Sequence, residues 1–103
     1  GNVHTSTAYH PDNGKPLRIP RGAKSWNSDY LMPGQSFVMK FELPGIYDYF
    51  CIPHEHAGMV GRIVVGKPAA SAHPYAESDA QLPAAALANF PSVADILKAS
   101  PIR

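Results

Sequence analysis

The chain is poor in several things. One cysteine in 103 residues leaves no disulfide framework. Nine Lys and Arg stand against eight Asp and Glu, a formal net charge of +1, so the electrostatic pull expected of a nucleic-acid binder or an anionic-membrane protein is missing. No apolar run approaches the roughly 18 residues of a membrane span, and no charged start followed by an apolar stretch marks a signal peptide. The chain is therefore expected to be soluble, with no membrane span and with any signal already removed. It has no internal repeat. A chain of this length buries about two thirds of the surface its unfolded form exposes, enough for one core.

Proline and glycine are plentiful, eleven and eight, and they punctuate β-branched and aromatic runs. Residues 3–9 read as a strand that ends at the turn formers His10, Pro11, Asp12, Asn13 and Gly14. Residues 15–31 hold no period and read as a long surface excursion, packed by Trp26, Tyr30 and Leu31. Phe37, Met39, Phe41 and Leu43 then alternate with Val38, Lys40 and Glu42 in the two-residue period of a half-buried strand. Pro44-Gly45 turns the chain into a second strand over 46–51, with Tyr47, Tyr49 and Cys51 on one face and Ile46, Asp48 and Phe50 on the other. A last strand covers 60–65.

From Lys67 the composition shifts to Ala, Pro and Ser, and the strand pattern stops. The expected division is a β domain over 1–66 and an Ala/Pro-rich tail over 67–103. Two short helices are expected in the tail, over 83–90 and 92–99, with Ser92 as N-cap and Asp95 three residues on. Leu82, Leu87, Phe90, Val93, Ile96 and Leu97 give the tail an apolar side with which to cover the sheet or dock elsewhere.

The lone cysteine gains meaning from its neighbours. Cys51-Ile52-Pro53-His54 is followed by Glu55-His56-Ala57-Gly58-Met59, which puts a thiolate, an imidazole and a thioether on one short loop. A thioether is a poor ligand for zinc and an irrelevant one for magnesium or calcium. Two His, one Cys and a weak axial Met describe a blue-copper electron-transfer site, so one further His is required.

A Tyr-rich strand running into Cys-x-Pro-His and ending at Met resembles the ligand loop of the cupredoxins, the blue (type 1) copper proteins, in its plastocyanin and pseudoazurin form. The resemblance implies an all-β fold, a Greek-key cupredoxin β-sandwich with one type 1 copper ion. It implies His4, Cys51, His54 and Met59 as the metal ligands. His4 lies 47 residues before Cys51, a plastocyanin-like spacing, and sits inside the strand-like run, whereas its competitor His10 precedes a proline at a turn. Thr5 follows His4 where many cupredoxins have an Asn that ties the two ligand loops together, so its hydroxyl is expected to stand in for part of that tie. The family places two or three strands before the first ligand, and three residues precede it here, so the sandwich is expected to be N-terminally incomplete: the chain is part of a longer protein, the reading preferred, or the missing strands come from another chain, or the segment packs on a larger assembly.

The function so implied is single-electron transfer by Cu(I)/Cu(II), with His54 as the electron port and Pro53, Ala57 and Gly58 in the docking face. The expected partners are redox proteins, a donor and an acceptor, which include the case of a membrane-bound electron-transfer complex. The expected setting is periplasmic or extracytoplasmic. The alternative is a cupredoxin-like structural or assembly subunit of a larger membrane-associated complex. An enzyme is not expected: multicopper oxidases bracket the cysteine with His on both sides, and here Phe50 and Ile52 flank it. Lys15, Arg18, Arg21 and Lys24, with no acid between them, read either as a solvated loop or as a patch that steers an acidic partner. His56 and His73 read as solvated side chains.

Overall fold

A computed structural model of the chain describes residues 3–66 and 81–98. Residues 67–80 of the expected tail, His73 among them, lie outside the described residues, as do 99–103.

Three strands, β1 (Thr7–Ala8), β2 (Gly45–Phe50) and β3 (Val60–Val65), form one antiparallel sheet in the order β1-β2-β3. Ala8 pairs with Tyr49, Asp48 with Arg62 and Phe50 with Val60. The all-β class agrees with the expectation, and among the described residues no helix exceeds six residues. Gly61 lies opposite Tyr49, whose ring occupies the space a β-carbon at 61 would take, so the residue without a side chain lets the ring lie across β3.

The period of two along β2 separates two clusters. On the odd-numbered face Tyr47 joins buried Ala8, Ile19 and Trp26, with Met39, Phe41, Tyr49 and Ile63 packed against them. Trp26 meets the Phe41 ring edge-on with centroids 5.5 Å apart, and its indole N–H donates to Ser6 Oγ at 3.0 Å, so burial leaves the nitrogen satisfied. On the even-numbered face Phe50 packs with Tyr9 and Leu82, and with Val60, Leu87 and Phe90.

The even face also carries a buried ion cluster. Asp48 is fully buried. Its carboxylate accepts from Arg18 Nε at 2.9 Å and from Arg62 Nε and Nη2 at 2.7 and 3.2 Å. Arg62 Nη1 donates to the Pro91 carbonyl at 2.6 Å, and both guanidiniums lie over the Phe90 ring. The cluster binds β2, β3, the excursion and the C-terminal segment together.

That segment holds α1 (Ala84–Asn89) and α2 (Val93–Lys98). Ser92 Oγ accepts the Asp95 N–H at 3.1 Å, so Ser92 caps α2 as its position predicts. Leu82 and Ala86 are buried, Leu82 against Tyr9 and Phe50 on the sheet side.

Three expectations need correction. The strand over 3–9 is hydrogen-bonded as a strand only at β1; otherwise there are isolated bridges, His4 to Leu31 and, on the other side of β1, Thr7 to Asn27. Residues 35–44 alternate only in part, with Met39 and Phe41 against the core but Phe37 and Leu43 exposed as well as Val38, which is 90% exposed, and no strand forms there. Alternation orients side chains, but a strand also needs a hydrogen-bonded neighbour, and no described strand runs beside this segment. In the excursion, Tyr30 is 60% exposed rather than packed, while Arg18 and Ile19 are buried.

Candidate metal centre

β2 delivers Cys51 to the end of the sheet. The backbone stays extended at Cys51 and then tightens into a 3-10 turn over Ile52–Ala57, whose first positions hold Pro53, where the missing N–H costs nothing. The loop closes on itself through His54 N–H to the Cys51 carbonyl at 3.1 Å, Met59 N–H to the His54 carbonyl at 3.1 Å, and Cys51 N–H to the Met59 carbonyl at 3.0 Å. Gly58 makes the reversal, with φ +85°, a conformation that glycine adopts without steric cost.

His4 arrives from the other side. Its backbone pairs with Leu31 in both directions, at 3.2 and 2.7 Å. The ligating atoms of His4, Cys51 and His54 lie within 4.8 Å of one another. Cys51 Sγ stands 3.4 Å from His54 Nδ1 and 3.8 Å from His4 Nδ1, and the two imidazole rings are 4.9 Å apart, tilted by 48°. Both rings present Nδ1 to the sulfur. The Met59 side chain is partly exposed and lines one hollow with Thr5, Tyr49, Cys51 and Val60. This donor set, two imidazoles gathered at a thiol and a thioether that shares a hollow with that thiol, suits copper rather than a hard cation.

Thr5 joins the two halves. Its N–H points at Cys51 Sγ at 3.3 Å, and its hydroxyl accepts the Ile52 N–H at 2.8 Å. Thr7 Oγ1 spends its single proton on Asn27 Oδ1 at 3.0 Å, so Thr5 donates across the 2.9 Å contact to Thr7. A one-way relay from Ile52 through Thr5 and Thr7 to Asn27 thus fixes the Cys51 loop on the His4 segment. The Thr5 hydroxyl therefore supplies part of a tie between the two segments, as expected of it.

His10 takes no part in this group. Its Nδ1 accepts the Asp12 N–H at 2.9 Å and caps the short turn Pro11–Asn13. His56 is exposed and outside the group. Pro53 and Ala57 are exposed beside His54, but Gly58, expected with them at the docking face, is buried beneath α1.

The basic stretch is also not the patch the sequence offered. Arg18 belongs to the Asp48 cluster, and Lys15 Nζ lies 2.6 Å from Glu55 Oε1. Arg21 and Lys24 alone face solvent. Glu55, next to His54, is buried and also accepts the Tyr9 hydroxyl at 2.7 Å. Burial, and then the carboxylate it donates to, hold that hydroxyl far above the ordinary tyrosine range. Sequence reasoning passed over Glu55, although an acid between two histidines in a ligand loop is a visible oddity.

Residues 2–66 match the model of the copper binding proteins of the plastocyanin/azurin family. Among individual proteins, the chain is similar to a chloroplastic plastocyanin of Tetradesmus obliquus, 52% identical over 40 residues, which are 38% of this chain and 28% of that protein. It is 47% identical over 51 residues to a plastocyanin of Scenedesmus fuscus, covering 46% of this chain and 52% of the relative. It is 50% identical over 51 residues to the chloroplastic plastocyanin of Chlamydomonas reinhardtii, covering 46% and 35%. The chain spans at most about half the length of these curated relatives.

Proposed function

The chain belongs to the plastocyanin/azurin family of copper-binding proteins, with its all-β cupredoxin fold, and on that premise we propose that it is a single-electron carrier and not an enzyme. His4, Cys51, His54 and Met59 hold one type 1 copper ion. The observation that carries this reading is the convergence of Cys51 Sγ with the Nδ1 atoms of His4 and His54, from two segments 47 residues apart. Bound copper supplies the one-electron Cu(I)/Cu(II) couple.

The chain's own residues supply the rest. Nδ1 of each imidazole and the cysteine sulfur are held close together by the backbone bonds of the two segments, so little has to rearrange when the electron arrives or leaves. Thr5 and the closed loop hold that arrangement. The donors are a mixture of soft sulfur and borderline nitrogen that both oxidation states accept.

Redox proteins are the partners in this reading. They approach the end of the molecule where Ile52, Pro53, Ala57 and Met59 are exposed around the half-buried His54, a surface that admits close contact without charge matching. The chain works in an extracytoplasmic compartment, the periplasm by our reading. Some relatives bear the word chloroplastic in their names, and among the described residues no helix is long and apolar enough to cross a membrane.

The test is the visible and paramagnetic resonance spectrum of the copper-loaded, oxidised protein. An intense thiolate-to-copper band is expected, and Cys51→Ser should abolish it. A copper-loaded protein without that band would sink the carrier reading.

A further inference from the structure

The family match ends at residue 66, yet the ligand loop does not end its contacts there. α1, some twenty residues further on, lies against the turn Ile52–Ala57 and its closing residue. Asn89, the last residue of α1, donates from Nδ2 to the Gly58 carbonyl at 3.0 Å. The same amide group and the Ala85 carbonyl fill the space that a β-carbon at Gly58 would take. Glycine is thus demanded twice at 58, by its positive φ and by the helix above it.

Gly58 sits directly before Met59. Its N–H donates to the Glu55 carbonyl at 2.9 Å, and the next N–H, that of Met59, donates to the His54 carbonyl at 3.1 Å. Its own carbonyl accepts both the Val60 N–H at 3.0 Å and the Asn89 amide. α1 is in turn fixed to the sheet by Leu87 and by Phe90 just after it, which pack on Tyr9 and Phe50. Arg62 also reaches the Pro91 carbonyl just beyond it. A side-chain amide on an anchored helix therefore sets where the Met59 end of the loop lies relative to Cys51 and His54.

We propose that α1, which lies outside the matched family region, is a working part of the copper centre, with Asn89 a positioning residue that acts on Met59 through the Gly58 carbonyl. The proposal rests on the copper reading above. Asn89 is exposed, so its substitution leaves the core intact, and its effect belongs to the loop.

Asn89→Ala and the equal-sized Asn89→Asp, made in the full chain, both remove the donor. In metal-free protein, amide exchange at Met59 is expected to quicken roughly 3- to 10-fold in both variants, the effect of losing one modest hydrogen bond, while amides in the middle of β2 and β3 keep their rates. After copper loading and oxidation, both variants should bind copper in full yet show an altered ratio of thiolate-to-copper bands, an altered copper hyperfine splitting and a shifted potential. Unchanged exchange at Met59, or Asn89→Asp matching the unsubstituted protein, overturns the brace. Faster exchange with an unaltered spectrum and potential overturns its role at the metal. If the unsubstituted protein gives no thiolate-to-copper band, the copper reading fails and the role at the metal falls with it. Metal-free exchange then decides by itself whether α1 braces the loop.

Discussion

The two faces of β2 are closed by different physics. The even face, Ile46, Asp48 and Phe50, is sealed by α1 and the segment following it, and directional bonds fix that cover: three donors reach the Asp48 carboxylate, and Arg62 runs on to Pro91. The odd face, Tyr47 and Tyr49, is covered by irregular chain: 17–26, pinned by backbone bonds at Arg18 and Trp26, and 39–41, whose hold is aromatic and aliphatic contact. A hollow lined by Trp26, Leu31, Phe37, Met39 and Phe41 remains over it. Contact alone tolerates sliding and incomplete filling. A buried charge cluster does not, because any displacement leaves a desolvated ion without its partner. The difference matters for the metal centre, since α1 reaches the ligand loop from the even side, and a brace is only as firm as its anchorage.

This contrast is sharpest at Asp48. Asp48→Ala leaves two buried guanidiniums without their shared carboxylate, and the expected loss is about 4 kcal/mol of stability, read by urea unfolding of the metal-free full chain. Because such clusters cost much to desolvate, exchanging all of Asp48, Arg18 and Arg62 for apolar residues of similar volume should restore most of that loss. Trp26→Ala empties the centre of the odd face and should cost about 3 kcal/mol, toward the lower end for a large aromatic because the loose cover can settle into the space. If Trp26→Ala proved the costlier of the two, the cluster would be incidental and the even face would be held by Phe50, Leu82 and Phe90.

How far the sequence foretold this follows the same division. Features set by local chemistry were legible: β2 and β3 from β-branched and aromatic runs between turn formers, Ser92 as a helix cap, and a donor-rich loop whose Cys51 and His54 the structure brings together with His4. His4 was preferred to His10 for lying in an extended run, and the structure puts His4, not His10, beside Cys51 Sγ. Features that depend on what the chain meets in space were not. Arg18 in a row of cations looked solvated or steering, and only a partner 30 residues away makes it a core residue. Thr5 could be read as a stand-in for an Asn, but the onward relay through Thr7 to Asn27 could not. Asn89 carries no signal at all, since an amide at the end of a short helix becomes informative only when a carbonyl of the ligand loop lies 3.0 Å away.

Residues 35–44 test the loose face most gently. The alternation Phe37, Met39, Phe41 against Val38, Lys40 reads as strand, but what survives in the structure is the packing of Met39 and Phe41 on the core without the ladder. In a paired strand Val38 would add β-propensity and contact with side chains beside it, worth up to about 1 kcal/mol. At 90% exposure and with no strand alongside among the described residues, it has little to lose, and Val38→Ser should change stability by less than about 0.5 kcal/mol, the range of ordinary surface substitutions. Its inward neighbour packs on the Trp26 cluster, so Met39→Ser measured alongside should cost clearly more. Equal effects at 38 and 39 would mean that the segment has no fixed inward side. A cost near 1 kcal/mol at Val38 would mean that another strand covers it and that the odd face is closed as firmly as the even one.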